Sequence, residues 1–278
     1  MDCPNLPLPL SKRATGRHLS RSRPVLVATS AIILLFAFLP GCQEKDKSRS
    51  RLGPLASVSP SPPPSFPTPQ AVECGGGPQK VGVDELESLV VPLADLTCRS
   101  LDNLDLSGRA LNGADLRGCS ARGVKLDNSD LTGALFIGCD MTGASLRRSN
   151  AMGAIFIGVR ASRSSLLGFQ AGGTDWREAD LTEADATEAI FNSSMLEGIR
   201  AKRVKFERAY LSAANLTGAD LEGAQLRGAK LRYATLKAAN LKGADLSFAD
   251  LSGCDLSNAN LEGASLEGTN LEGAKLPK

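Results

Sequence analysis

The chain has 278 residues, 32 Lys and Arg against 30 Asp and Glu, and a formal net charge of +2. Its apolar content of 42% is too high for a wholly disordered chain, its 4% aromatics too low for a core filled by large rings, and its charge balance gives no reason to expect nucleic-acid binding. The sole histidine, His18, lies in a segment read below as a removed signal, which excludes Ser-His-Asp and Cys-His catalysis and histidine-ligated metal from the mature chain.

Residues 1–41 read as an address. Lys12, Arg13, Arg17, Arg21 and Arg23 make a basic flank, and residues 25–39 are an uncharged apolar run. A spanning helix needs about 20 such residues, so a secretory signal fits this shorter run better. The run ends in Leu39-Pro40-Gly41-Cys42, which resembles the lipobox of bacterial lipoproteins, with Pro40 as its one departure. The resemblance implies that Cys42 is lipidated, becomes the new N-terminus and carries several acyl chains, palmitate among them, which together anchor stably. The expected address is a bacterial cell membrane or outer membrane, with the chain facing the periplasm or exterior. Gln43 after the cysteine resembles the outer-membrane sorting pattern.

Residues 42–77 read as a flexible, disordered tether. Lys45, Lys47, Arg49 and Arg51 follow the anchor, and residues 60–69 (PSPPPSFPTP) favour an extended polyproline II spacer with no core of its own. Gly75-Gly76-Gly77-Pro78 marks a boundary. Residues 78–95 are the expected N-terminal cap, with a short helix over 84–91 (DELESLVV) before Pro92.

From Leu96 the sequence repeats with a period of five. Of the 37 positions 96, 101, 106 and onward to 276, 25 are Leu and the others Phe, Met, Trp or Ala. The residue two before each is Ala at 20 of the 37, and Asp or Asn commonly sits between, as in Ala219-Asp220-Leu221. Glycine is the commonest residue two after. Five matches neither the helical period nor strict strand alternation. It fits a square coil with one pentapeptide per side. This pattern resembles the pentapeptide-repeat family, whose motif is A(D/N)LXX. The resemblance covers 96–278 and implies an all-β, right-handed quadrilateral parallel β-helix of about nine 20-residue coils. The central residue of each pentapeptide and the one two places before it then point inward, and glycine eases each corner where φ is positive.

Charge tests the 20-residue coil independently of the resemblance. Residues 20 apart should stack at the strand spacing of about 4.8 Å, where opposite charges are favoured. Within 96–278, 18 pairs at offset 20 are both charged, and all 18 are opposite in sign. One column runs Asp140, Arg160, Asp180, Arg200, Asp220; another runs Lys202, Glu222, Lys242, Glu262. Arg177–Glu197, Glu183–Arg203, Asp185–Lys205 and Glu188–Arg208 add to them. At offset 25 the rule fails at Asp102–Asp127, Asp105–Asp130 and Arg122–Arg147. Each exposed pair is worth only about 0–1 kcal/mol, so the ladders act mainly on register.

Core volumes compensate along the coil. Val159 precedes Ala161, Phe169 precedes Ala171, and Ile199 precedes Ala201. Phe136, Phe156 and Trp176 are 20 apart and should stack inward on one side. Cys119 and Cys139, each two places before a central residue and 20 apart, are candidates for a disulfide or for a reduced core ladder. Cys74 and Cys98 flank the cap and can clamp it in an oxidising compartment, while Cys254 reads as a small core residue. Leu135, Ile137, Ile155 and Ile157 fall at outward positions as a two-by-two apolar patch, with Met195 further along; this is the candidate docking surface, the alternative being the β-propensity of a strand-like face.

No phosphate-loop, CxxC or HExxH motif appears, and the carboxylates have basic neighbours in the stacked arrangement. The expectation is a non-enzyme with no catalytic residue, metal or cofactor. It is a membrane-tethered interaction scaffold of the bacterial envelope, with an unidentified protein partner, no nucleic acid, and a monomeric or end-to-end dimeric state. The family resemblance supplies an alternative, since some members mimic DNA and act on type II topoisomerases. That mechanism needs a strongly negative surface. Residues 96–278 instead hold 22 acidic and 22 basic side chains, and a secretion signal points away from the cytoplasm.

Overall fold

The computed structural model describes residues 74–81 and 91–278. From 94 onward each pentapeptide adopts the same local conformation. The central residue lies inward, the next two make a turn, and the residue preceding the following central one enters a parallel bridge. In the turn Leu111–Ala114 the Ala114 N–H donates to the Leu111 carbonyl at 3.0 Å, with Gly113 at φ 68° in the third position. This is the geometry of a type II turn, which demands positive φ there. The corner recurs in every pentapeptide whether or not glycine is available. Arg203 (φ 53°), Tyr233 (φ 58°) and Phe248 (φ 59°) adopt it as well, at a cost of about 1–2 kcal/mol each.

Every bridge joins residues 20 apart, and all run parallel. The bridges form four columns, one per side; the first runs without a break through nine bridges from Asp95 to Lys275. Successive rungs share backbone hydrogen bonds on each side. Leu101 N–H donates to Ser120 O (2.6 Å), Asn103 N–H to Arg122 O (2.8 Å), and Lys125 N–H to Leu104 O (2.9 Å). The chain thus pairs its own edges from rung to rung, which leaves few lateral strand edges open. The four sides are called one to four below, centred on Leu96, Leu101, Leu106 and Leu111 and on the residues stacked above each of these in later rungs.

The inward positions fill one continuous core. The volume trades expected from sequence hold: Val159, Phe169 and Ile199, beside Ala161, Ala171 and Ala201, are all buried. On side one Phe136 and Phe156 stack at 4.8 Å with planes 6° apart, and Phe156 and Trp176 at 4.0 Å and 10°. Phe169 meets both Phe156 and Trp176 edge-on at 6.0 and 6.1 Å. Trp176 brings a polar N–H into this core, and a buried threonine receives it. Its Nε1 donates to Thr174 Oγ1 at 3.0 Å, and Thr174 Oγ1 donates to the Ala171 carbonyl at 2.6 Å.

Upstream, strand β1 (Gln79–Lys80) pairs in parallel with β2 (Arg99–Ser100) in the register Gln79↔Arg99. That offset is the same as in every bridge of the coil, and Val81 packs on the core. The cap therefore begins as a rung in register with the coil. The signal segment 1–41, the tether up to residue 73 and the helix expected over 84–91 lie outside the described residues, Val91 excepted.

Candidate functional site

Among the described residues, the outward positions of the coil make the extended surface on which function can be built. The apolar patch on side one is not the open surface the sequence suggests. Leu135, Ile155 and Ile157 are half-buried, and Ile137 is only 3% exposed. At strand spacing, branched chains stacked in neighbouring rungs lie against one another and cover each other's flanks. Both columns are also closed at each end by the same ion pair. Below the patch Arg117 grips Asp115 (Nε–Oδ1 2.9 Å, Nη2–Oδ2 2.6 Å). Above it Arg177 grips Asp175 with the same two distances, 2.9 and 2.6 Å. Burial acts to raise the Asp115 pKa, but the hydrogen bonds from Arg117 outweigh it and hold it below the usual range. Met195, further along, is exposed.

Side two carries the charge ladder. Arg160 meets Asp140 at 3.3 Å, Arg200 meets Asp180 at 3.5 Å, Lys202 meets Glu222 at 2.8 Å and Lys242 meets Glu262 at 3.0 Å. At its corner Arg203 reaches Glu183 at 2.5 Å, and on side three Arg208 reaches Glu188 at 2.9 Å. Nine of the 18 pairs expected at offset 20 close within 4.0 Å, and Arg177–Glu197 is among those that do not. Arg177 turns to Asp175 within its own turn, and Glu197 accepts the Asn215 amide instead. Asp140 has the densest set of partners. Arg122 Nε lies 2.7 Å from Oδ2, and Thr142 Oγ1 donates to Oδ1 at 2.7 Å. Burial alone would push its pKa up, yet Thr142, Arg122 and the Arg160 charge bring it down to about 2.

The cysteines divide by environment. Cys74 and Cys98 are paired at a Cα–Cα distance of 5.5 Å where the cap meets the first rung. Cys119 and Cys139 are paired across neighbouring rungs inside the core, with Cα–Cα 4.7 Å. Cys254 is free and buried, and its Sγ–H donates to the Leu231 carbonyl at 2.8 Å. Burial pushes its thiol pKa up to about 11. Cys254 is therefore expected to resist iodoacetamide in the native chain at pH 8 and to react fully in urea, as read by mass spectrometry. Native modification at the rate of a free thiol would show that this core opens.

Among the described residues no His, Cys, Asp and Glu group is placed to hold a metal ion. No helix there is long and apolar enough to cross a membrane. The open, polar recesses among the described residues include one of about 340 Å³ beside Cys74, Asp95 and Arg99 and one of about 510 Å³ beside Tyr233, Asp250 and Glu272. Neither brings together a nucleophile and a base.

Sequence reasoning passed over side four. Between Asp130 and Lys230 its outward positions hold no Asp, Glu, Lys or Arg. The signal lies in the sequence as an uncharged stretch recurring once per rung, which the opposite-charge pairs of the other sides mask.

Residues 100–136, 129–166, 171–200, 205–243 and 239–276 match the model of pentapeptide repeats, in eight copies, over more than half of the chain. The chain belongs to the pentapeptide-repeat family. Members form right-handed quadrilateral β-helices, and the four bridge columns and 20-residue rungs above are that architecture. Among solved pentapeptide-repeat structures, HetL of Nostoc sp. strain PCC 7120, involved in heterocyst differentiation regulation, is 26% identical. The match covers 69% of this chain and 94% of HetL, with a TM-score of 0.33. Full-length QnrB1, a plasmid-mediated fluoroquinolone resistance protein, is 23% identical over 71% of this chain and 89% of its own, with a TM-score of 0.42. A pentapeptide-repeat protein of the Arabidopsis thaliana thylakoid lumen is 26% identical over 44% of this chain and 63% of its own, with a TM-score of 0.18. No curated protein sequence matches this chain.

Proposed function

We propose that this pentapeptide-repeat protein is a non-catalytic interaction scaffold of the bacterial cell envelope, tethered to a membrane through lipidated Cys42. In this reading residues 1–41 are the signal, 42–77 the spacer, and the coil of about nine turns is the presenting surface. The observation that carries it is the combination of a lipobox-like Leu39-Pro40-Gly41-Cys42 with a coil whose outward charges are balanced in number and in part paired between rungs. Such a surface offers a long, fixed array of contacts and no reaction site. The two disulfide pairings suit an oxidising compartment outside the cytoplasm.

Cys42 decides the reading. Mass spectrometry of the mature N-terminus is expected to find an acylated Cys42, and Cys42→Ser is expected to move the protein from the membrane fraction to the soluble one. An unprocessed N-terminus on a soluble chain would sink the tethered reading. It would favour the DNA-mimic alternative, an action on type II topoisomerase that the family resemblance brings and that a supercoiling assay tests. The 22 acidic and 22 basic side chains of residues 96–278 weigh against that alternative, because a DNA-binding saddle selects a negative partner.

A further inference from the structure

Side four differs from its neighbours in charge. The corner it shares with side three carries Arg148, Glu188 and Arg208, while the side itself is uncharged for four successive rungs. Its first column passes through the bridges Asn150↔Gln170, Gln170↔Ile190 and Ile190↔Tyr210. Its second column holds Met152, Gly172 and Asn192 at the same spacing.

Gly172 is the point the fold does not explain. Every other glycine between 96 and 278 sits at a corner with positive φ; Gly172 does not. A Cβ there would meet only the Asn192 carbonyl, at 3.8 Å, an ordinary contact. Its neighbour Gly173, at φ +68°, does need to be glycine. Gly172 takes the first position of its turn, where the backbone accepts a side chain, and with none there the surface stays low between Met152 and Asn192.

Around that low point are groups suited to hydroxyls. The Gln170 side chain is exposed and bonds none of the described residues. Asn192 Oδ1 accepts the Ser212 N–H at 2.9 Å, which fixes the amide while its NH2 keeps no partner among the described residues. An amide both donates and accepts, which matches the edge of a sugar ring. Tyr210 is 47% exposed and offers an apolar ring face with a polar tip, next to Ile190 in the column. Rungs about 4.8 Å apart make two rungs about 10 Å. That is on the order of one disaccharide of an extended β-1,4-linked chain.

We infer that side four binds an uncharged, extended β-linked polysaccharide, laid along the coil axis across Gly172 and stacked on Tyr210. The absence of charge removes the means of holding phosphate, uronate or a lipid headgroup. Further along the same side charge returns, in the recess beside Tyr233, Asp250 and Glu272, so a protein partner is left as an outcome of the test. The inference goes beyond the tethered-scaffold reading and does not depend on it, because the assay contains no membrane.

The test uses the full-length chain in a polyoxyethylene detergent, free of sugar. It is sedimented with microcrystalline cellulose and with chitin, and titrated with cellohexaose and chitohexaose. Retention on at least one neutral polymer is expected, insensitive to 0.05–0.5 M salt (a range of roughly one decade around physiological ionic strength). Gly172→Thr fills the low point without backbone strain, and Tyr210→Ala removes the platform. Each is expected to weaken binding about tenfold, with unchanged circular dichroism. Lys237→Gln, on side one, should bind as the parent does. No retention on either polymer, retention undiminished in both variants, or retention abolished by salt overturns the proposal. A photo-crosslinker at position 210 that captures protein, in the absence of polymer binding, assigns the side to a protein partner instead.

Discussion

Phe156→Ala is expected to cost about 3–5 kcal/mol of stability, the range for emptying a fully buried aromatic site. Phe156 is the shared member of three ring contacts: stacked on Phe136 at 4.8 Å, stacked on Trp176 at 4.0 Å, and edge-on to Phe169 at 6.0 Å. The coil cannot close around the void, because rung spacing is set by backbone hydrogen bonds on four sides such as Phe136 N–H to Ile155 O (2.7 Å) and Phe156 N–H to Asp175 O (2.7 Å). A repeat array is stabilised by nearest neighbours along one dimension. The loss should therefore weaken the coil locally, with amide exchange rising first in the rungs next to Phe156 and last in the C-terminal rungs. Urea unfolding followed by hydrogen exchange checks both parts. A cost below about 1 kcal/mol would mean that neighbouring side chains refill the site. Phe156→Leu, which keeps most of the volume, should recover more than half of the loss.

The same rigidity explains what could be read in the sequence and what could not. Period five and offset 20 are properties of the backbone, repeated identically at each side, so counting along the chain suffices. Asp140–Arg160 and Lys202–Glu222 close as pairs because stacking sets them face to face at that spacing, although Asp140 also meets Arg122 and Lys202 also meets Asp220. The apolar patch is less open than expected for a different reason. "Outward" is a statement about direction, whereas exposure depends on what lies in the adjoining rungs. Ile137 points outward and is buried, between Arg117 and Ile157 in its column. Arg177 shows the third limit: a long side chain chooses among several carboxylates within reach. Asp175, in the same turn, wins over Glu197 because a bidentate grip fits there. Gly172 was hidden by company. Glycine is so common at corners that one off-corner glycine stands out only once φ is known.

Acid should act on the charge ladder through Asp140 first. Its side chain is 6% exposed, against 64% for Arg122 and 56% for Arg160, so solvent screens the carboxylate little. Its pKa is about 2 in the folded chain against an ordinary 3.8. A depressed carboxylate contributes stability that is fully present above its unfolded pKa and is lost as pH falls through its folded one. The window is therefore from about pH 4 down to about pH 2, and the contribution above it is about 2 kcal/mol. Thermal melts of Asp140→Asn and the parent check this. The variant should be less stable at pH 7, with the gap narrowing below pH 4 and nearly closed at pH 2. Both proteins will also lose stability in common over that range, because Asp180, Asp115 and Asp255 are held low by their own partners. A gap that stays constant from pH 7 to pH 2 would show that the amide fails for packing reasons and that the Asp140 charge contributes nothing. Salt separates the remaining possibility: the exposed pairs such as Lys242–Glu262 weaken at 0.5 M ionic strength, roughly where the screening length falls to a few ångströms, whereas the Asp140 gap should persist.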